Sequence, residues 1–529
     1  MAARKHKRDQ RRGRGEPVPA RPVAVIDIGT SSIRMAVAEI DASGQVRRLD
    51  SVKQSVGLGR DTFTTGRVQA PTIEDCVAVL RSFQRLMREY GVVRPEQIRA
   101  VATSAVREAQ NRDDLINRLY IATGIKVECI DEAEANRLTY LGVQPVLKSD
   151  ASLDKSRTRV VEAGGGSTEL LLIRRGVVGF SYAARLGSLR MREMLEGFGA
   201  PRARLRDLME NQVARTVNQI LDRMPSGAAP CMVALGGDAG FAVSQLVSAP
   251  EPGLLARVPL DKLSQLTGRL LDMSVDDLVK TYHLTYHEAD TLGPALLVYV
   301  QLARAIGADH ILVSTATMRD GLLVEMATRG LWTEAYRKQI LRSAFDLGKK
   351  YRWDEAHETR VAGLCRVLYD ALQDEHRLPA RYADLLHISA LLHEIGLFVS
   401  NRSHHKHSMY LILNSELFGL GRRDLMTVAL VARYHRQAEP QPRHSGYGSL
   451  DNEDRIAVTK LAAILRVADA LDRAHSGRVR TIRCSIRDGQ FVITVPRLTD
   501  LSLEELALAE KGGLFEKVYG MKVVLHARG

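Results

Sequence analysis

No two cysteines in this sequence stand close enough to form a CxxC pair. The five present, Cys76, Cys129, Cys231, Cys365 and Cys484, are scattered and odd in number. That pattern excludes a zinc ribbon and a disulfide framework. It suits a reducing cytosol, so a cytoplasmic protein is expected. Long apolar runs are lacking too, and none approaches the ~20 residues of a membrane span. The basic start has no apolar stretch behind it, which excludes a secretory signal, and no membrane partner is expected. Nor is there an excess of acid. Lys+Arg 75 against Asp+Glu 62 leaves a net charge of +13, which favours polyanionic partners without naming one.

What the sequence does have is length and an internal repeat. At 529 residues, 45% of them hydrophobic, the chain is too long for one core, and about three or four domains are expected. The first copy of the repeat is Val23-Ala24-Val25-Ile26-Asp27-Ile28-Gly29-Thr30-Ser31-Ser32, followed by the apolar stretch 33–38. The second is Arg159-Val160-Val161-Glu162-Ala163-Gly164-Gly165-Gly166-Ser167, followed by 168–173. Each reads as a buried strand, an acid, a Gly and hydroxyl turn, then a second strand. Asp27 matches Glu162, Gly29 matches Gly164 and Ser32 matches Ser167, which points to a duplicated domain. Glycines let backbone N–H groups converge on an anion, hydroxyls add donors, and a carboxylate at the strand end can hold a divalent cation or position a water. Two such turns facing across a cleft would grip a phosphate chain from both sides. The plain alternative is a pair of ordinary tight hairpins without a ligand.

In chain order, residues 1–21 hold eight Lys or Arg residues with Pro17 and Pro19, a composition for a disordered tail. It is either a solvated tail or a tether for nucleic acid or another polyanion. Asp41-Ala42-Ser43-Gly44 closes a hairpin. Thr72 to Tyr90 has helical periodicity, with Thr72 as a possible cap and Gly91 as the stop. Ile98–Thr103 and Lys126–Ile130 read as strands, and Glu132 to Val143 as a helix carrying Glu132, Glu134 and Arg137. Thr103, Ser104 and Arg107, at the start of another helix, can bind an anion. Alternating strands and helices indicate an α/β class. Residues 186–190 read as a loop beside the second turn. Met232–Leu235 runs as a strand into Gly236, Gly237 and Asp238, and 311–314 is a further strand. From Tyr336 to His475 the periodicity is helical, and Thr481–Ile486 with Gln490–Val495 form a hairpin around Asp488-Gly489.

Taken together, IDIGTSSIR, ATSAVREAQN, EAEANRLTYLGV, EAGGGSTEL, ARLGSLRM and VSTATMRDGLL resemble the exopolyphosphatase / guanosine pentaphosphate phosphatase (Ppx/GppA) family, over nearly everything after the tail. The resemblance implies a duplicated actin-like, ribonuclease H-like core, with lobe I at 22–143 and lobe II at 144–335. An all-α HD-like domain at 336–475 and a small β-rich C-terminal unit at 476–529 follow. It implies hydrolysis of terminal phosphate from inorganic polyphosphate, or of the 5′ phosphate of guanosine pentaphosphate, usually with Mg²⁺, and a homodimer. Carried over by position, Glu134 resembles the general base for water. Arg107 matches the phosphate-binding arginine. Glu162 and Glu169 match the acidic pair that contacts metal and water. Asp27, Gly29, Thr30, Ser31, Gly164, Gly165, Gly166 and Ser167 match the phosphate cradle.

The sequence departs from the family at several of these places. Ser31 takes the place of an Asn, Glu162 of an Asp, and Asp238 of a Thr. Ala133 and Ala135 flank Glu134 where the family often has acids or glycines. In the helical region His357, His393, Glu394 and Asp469 resemble the metal set of HD phosphohydrolases, with Glu394 for the usual Asp. Imidazole and carboxylate ligands suit a transition metal, so a second metal is expected there unless the histidines only satisfy a scaffold. His404, His405, His407 and His435 lie between. Two function classes follow from this reading: a phosphatase, or a weakened lobe pair that senses polyphosphate or nucleotide and signals through the helical domain. ATP-dependent kinase chemistry is a third, remoter option.

Overall fold

A computed structural model describes residues 20–150, 153, 157–197, 202–224, 231–248, 255–328, 332–415 and 417–528. The basic segment 1–19 lies outside the described residues. Its expected last member, Arg21, already belongs to the first strand.

Two sheets repeat one topology. The first contains β1 (Arg21–Ile28), β2 (Ser32–Ile40), β3 (Val46–Ser55), β4 (Ile98–Ala102) and β5 (Val127–Cys129), in the order β3-β2-β1-β4-β5. The second contains β6 (Arg157–Ala163), β7 (Thr168–Arg174), β8 (Val177–Ala184), β9 (Cys231–Leu235), β10 (Ala256–Pro259) and β11 (His310–Val313), in the order β10-β11-β9-β6-β7-β8. In both, a three-stranded antiparallel meander is extended by parallel strands on the side of its first member, and in the second sheet β10 closes the edge antiparallel to β11. This is the duplicated actin-like arrangement expected from the sequence. Central strands such as β1 and β6 are apolar because both of their faces are covered.

Several local expectations shift by a few residues. The helix expected from Thr72 runs Ala70–Glu89, with Gln69 at its N-cap and Pro71 in its first turn, where proline needs no N–H partner. The segment 186–190 is not a plain loop, because Ser188 opens the helix Ser188–Gly197. The helix expected to end at Val143 continues to Ser149 with Pro145 inside it.

That longer helix links the lobes. Ala135 and Leu138 pack with β1, β2 and the helix Met318–Ala327, whereas Tyr140, Val143 and Leu147 join the core built on β6, β7 and β8. Met318, Leu322 and Leu323 in turn cover the first sheet, so the last helix of each half lies partly on the other half. The two helices cross at glycine. A Cβ on Gly321 would stand 1.9 Å from the Leu138 carbonyl oxygen, and one on Gly142 would stand 2.4 Å from that of Thr317.

The remaining chain is helical from Glu334 to Ala470, broken chiefly between Tyr434 and Asp451. Its first helix, Glu334–Lys350, covers the edge of the second sheet. Gln339 accepts from the Val178 amide at 2.8 Å and donates to the Val178 carbonyl at 2.7 Å. Those two bonds satisfy the outward-facing groups of Val178 on the edge strand. The chain closes with β12 (Arg483–Arg487), β13 (Gln490–Pro496) and β14 (Lys522–Arg528). Asp488 and Gly489 both adopt positive φ (47° and 70°), which matches the twist of a two-residue hairpin. This unit and the helices share one apolar cluster. No helix among the described residues is long and apolar enough to cross a membrane.

The glycine crossing is testable. Gly321→Ala is expected to cost about 1–3 kcal/mol, because the added methyl meets backbone that cannot rotate away. Thermal unfolding should show a lowered midpoint, and an unchanged midpoint would mean that the helices are not held together there.

Candidate active site

The two turns have the same internal geometry. The Gly29 amide donates to the Ser32 carbonyl at 3.0 Å, and the Gly164 amide donates to that of Ser167 at 2.8 Å. They face each other closely. A Cβ on Gly165 would lie 3.2 Å from both Cβ and Cγ2 of Thr30, and one on Gly166 would lie 2.3 Å from Ser104 Oγ. Only glycine permits that approach. Thr30 Oγ1 and Ser104 Oγ are 3.2 Å apart. The carbonyls of Gly164 and Gly165 accept from the amides of Ser188 and Leu189 at 3.0 and 3.1 Å, which anchors the second turn on the helix behind it.

Between the turns lies a cavity of about 730 Å³. Asp27, Gly29, Thr30, Ser31, Arg107, Glu162, Gly164, Gly165, Gly166, Ser167 and Glu169 all line it. Its cations are Arg34, Lys53, Arg107 and Arg319, and Asp238 and Glu288 add carboxylates. Arg107 donates to the Ile130 carbonyl at 2.9 Å and lies 3.4 Å from Glu132. Lys53 pairs with Glu288 at 2.6 Å, and Arg34 with Asp27 at 3.7 Å.

The carboxylates are strained electrostatically. Glu162 and Glu169 are direct cross-strand partners on β6 and β7, and like charges so placed repel. Burial, then the neighbouring Glu162, pushes Glu169 up to about 7, although Ser167 donates a hydrogen bond to it. Burial and then Asp27 likewise raise Glu162. Burial raises Asp238 to about 6 against the pull of Arg34 and Lys53. A group of hard oxygen donors that repel one another fits a divalent cation such as Mg²⁺. Among the described residues, no three of these carboxylates approach within 4.8 Å of one another. That suits an ion held by one or two carboxylates together with substrate phosphates.

Glu134, the expected base, is not among the residues that line the cavity. On the helix Glu132–Ser149 the cleft face carries Ala135 and Thr139, spaced i, i+4. One residue earlier, about 100° round the helix, Glu134 turns away. Its carboxylate accepts from Arg137 Nε at 2.7 Å and Nη2 at 2.5 Å, and a Cβ on Gly421 of the helical domain would stand 3.1 Å from it. Burial raises its pKa, and Arg137 opposes that. Conversely, Arg34, Lys53, Arg319, Thr139 and Ser188 line the cavity without having been singled out. Arg34 was recoverable from the repeat, because it stands seven residues after Asp27 as Glu169 does after Glu162.

The second constellation also comes together. Ligand atoms of His357, His393, Glu394 and Asp469 lie within 4.8 Å of one another in the buried helical domain, and so do those of Glu394, His404 and His435.

Comparison with known proteins agrees with this geometry. Residues 23–330 match the Ppx/GppA phosphatase family, and residues 341–511 match Ppx/GppA phosphatase, domain III. A guanosine-5'-triphosphate,3'-diphosphate pyrophosphatase of Aeromonas hydrophila subsp. hydrophila is 24% identical over 483 residues, spanning 89% of this chain and 92% of that protein. One from Photobacterium profundum is 22% identical over 487 residues, spanning 89% and 91%. The crystal structure of an exopolyphosphatase from Cytophaga hutchinsonii superimposes with a TM-score of 0.51 at 22% identity, covering 58% of this chain and 98% of that one. It shares the fold of the two lobes. With more than half of its length matched, the chain belongs to the Ppx/GppA phosphatase family.

Proposed function

We propose that this chain hydrolyses phosphoanhydride bonds, removing the terminal phosphate of inorganic polyphosphate, the 5′ phosphate of guanosine pentaphosphate, or both, by in-line attack of water in the cleft. The observation that carries this reading is the pair of matched turns closing on one cationic cavity, with Glu169 beside Glu162 inside it. Phosphoryl transfer needs alignment and charge neutralisation more than covalent help. Backbone amides of the two turns and the guanidinium of Arg107 would hold non-bridging oxygens, and Arg34, Lys53 and Arg319 would offset the remaining charge.

Asp27 and Glu162 would hold Mg²⁺ together with the substrate. When bound, the ion supplies neutralisation of the phosphate oxygens and relief of the carboxylate repulsion. We assign the water-activating role to Glu169 rather than Glu134. A carboxylate with a pKa near neutrality takes a proton far more readily than an ordinary one, and Glu169 lines the cavity. Water loses a proton to Glu169 and its oxygen bonds to the terminal phosphorus. The bridging P–O bond breaks, and its electron pair leaves on the shortened chain.

A second reading has one observation in its favour. The helix residue turned into the cleft is Ala135, where an acid would assist water. On that reading the lobes bind polyphosphate or nucleotide with little turnover and signal through the helical domain.

Phosphate release from long-chain polyphosphate and from guanosine pentaphosphate with Mg²⁺ separates the two. The hydrolase reading expects kcat/KM to rise with pH through about 7, as Glu169 loses its proton. It expects Glu169→Gln to lose roughly 10²–10⁴-fold in kcat. Binding without release by the wild type would establish the sensor instead.

Glu134→Gln gives an independent check. Turnover should stay within severalfold of wild type, while the melting midpoint falls. The buried pair with Arg137 is worth roughly 1–3 kcal/mol, since Arg137 keeps Glu325 as a second partner. A stable variant with abolished turnover would return the base to Glu134.

A further inference from the structure

The two sheets repeat one topology but end differently beneath the cavity. In the first, β1 and β4 pair through Asp27–Val101 and Ile28–Ala102, and the Thr103 amide then donates to the Ile28 carbonyl at 3.1 Å. In the second, the pairing of β6 with β9 ends at Glu162–Leu235, which matches Asp27–Val101 and stops one pair sooner. At that point a side chain joins the two strands. The Ala163 amide donates to the Tyr299 hydroxyl at 2.9 Å, and this hydroxyl donates to the Leu235 carbonyl at 2.5 Å.

Tyr299 reaches the strand ends from the helix Tyr286–Ala305, and its side chain is fully buried. A buried phenol needs a partner for its proton and one for its lone pairs, and here each strand supplies one. Burial keeps the hydroxyl protonated well above the usual tyrosine range. The Ala163 amide opposes that, and the charges of Asp238, Glu162 and Glu169 reinforce it. The joined strand ends therefore lie within electrostatic reach of three cavity carboxylates.

The place matters for the cleft. From β6 the sheet continues to β7 on one side and to β9 on the other, and ligands of open α/β sheets bind at such a parting of strands. Gly236, just past β9, adopts φ 100°. A Cβ there would stand 3.5 Å from the Tyr299 hydroxyl oxygen and 3.9 Å from Glu162 Cγ. The Glu162 side chain thus leaves β6 beside the turn whose position the hydroxyl fixes. Its far end meets the opposite wall, where Thr139 Oγ1 donates to Oε2 at 3.4 Å.

We propose that Tyr299 is a positioning residue of the cleft: its hydroxyl fixes the separation of the β6 and β9 ends and so, with Thr139 in front, places the Glu162 carboxylate for the cation. This rests on the reading that Glu162 holds Mg²⁺ together with the substrate. Tyr299 touches neither the ion nor the phosphates and acts through Glu162 alone.

The test separates binding from turnover. Radiolabelled polyphosphate and guanosine pentaphosphate are titrated with Mg²⁺ against the full-length chain in a cold filter-binding assay, beside phosphate release at working temperature. Tyr299→Phe keeps the ring and removes the hydroxyl. It is expected to raise the Mg²⁺ concentration at half-maximal binding roughly 10-fold or more, as losing a group behind a metal ligand does, with the binding plateau kept. Tyr369→Phe removes a comparably buried hydroxyl of the helical domain, which donates to the Pro379 carbonyl at 3.1 Å. It should lower the melting midpoint and leave the Mg²⁺ dependence unmoved. Thr139→Val should raise the same Mg²⁺ requirement, and Thr139→Ser should restore it. A folded Tyr299→Phe with the wild-type Mg²⁺ dependence overturns the inference. If that variant does not fold, an unmoved Thr139→Val overturns it instead. Wild-type binding that is indifferent to Mg²⁺ also overturns it, since Glu162 then holds no ion. Mg²⁺-dependent binding without phosphate release overturns the hydrolase reading alone, and the Tyr299→Phe shift still decides this one.

Discussion

The approach of two helix backbones at Gly142 and Gly321 governs the geometry of the cleft. No side chain separates Gly321 from the Leu138 carbonyl, so the helices Glu132–Ser149 and Met318–Ala327 cross in direct backbone contact. Each is the last helix of one half and packs partly on the other. Their crossing therefore sets the separation of the halves and the distance between the Gly29 and Gly165 turns. It also fixes the rotation of the first helix, which points Ala135 and Thr139 into the cavity. Thr317, through its capping box with Asp320, starts the second helix with Arg319 at the cavity wall.

Among the described residues, lone pairs and negative charge are concentrated both in the cleft and in the helical domain, with different treatment. In the cleft the donors are carboxylates spread wide, faced by arginines and a lysine, and partly relieved by holding protons near neutrality. Such a site stays open to a polyanion, which brings its own oxygens to a hard cation. In the helical domain the donors are mostly imidazoles, packed tightly, each with its tautomer set by an acceptor behind it. Such a site is closed and leaves little room for anything larger than an ion.

The duplicated lobes were legible because the repeat places an acid, a glycine and a serine at constant spacing, and strand registers follow spacing directly. Asp27 and Glu162 fall at matching places in matching sheets for that reason. Glu134 stands one residue before Ala135, the side chain that lines the cavity. Matching the motif identified the right helix, but which of two adjacent residues faces the cleft depends on how that helix is rotated against Gly321, some 180 positions away. Thr72 does not cap its helix because Pro71 fits the first turn and moves the start to Gln69. In the sequence His404 and His435 are 31 residues apart and share no motif. Their meeting at 3.1 Å depends on how several separate segments pack, which no local spacing encodes.

The rotation that takes Glu134 out of the cleft gives the same helix a second face. Glu134, Arg137 and Tyr140 recur every third residue and point to the helical domain. Glu134 lies against Gly421, Arg137 over the ring of Tyr336 at 5.9 Å, and Tyr140 edge-on to Phe418 at 5.5 Å. Ala135, Thr139 and Gly142 occupy the opposite face, toward the cavity and the crossing helix. A single rigid helix thus forms the back wall of the cleft and the front wall of the helical domain. A movement of the lobes that turns this helix must displace Arg137 from Tyr336 or carry the helical domain with it. The packing of Arg137 on the Tyr336 ring and of Tyr140 on Phe418 favours the second, because turning the helix alone would strip both of their partners. Coupling between cleft and helical domain therefore follows from the packing of one element, and it needs no further contact between the two.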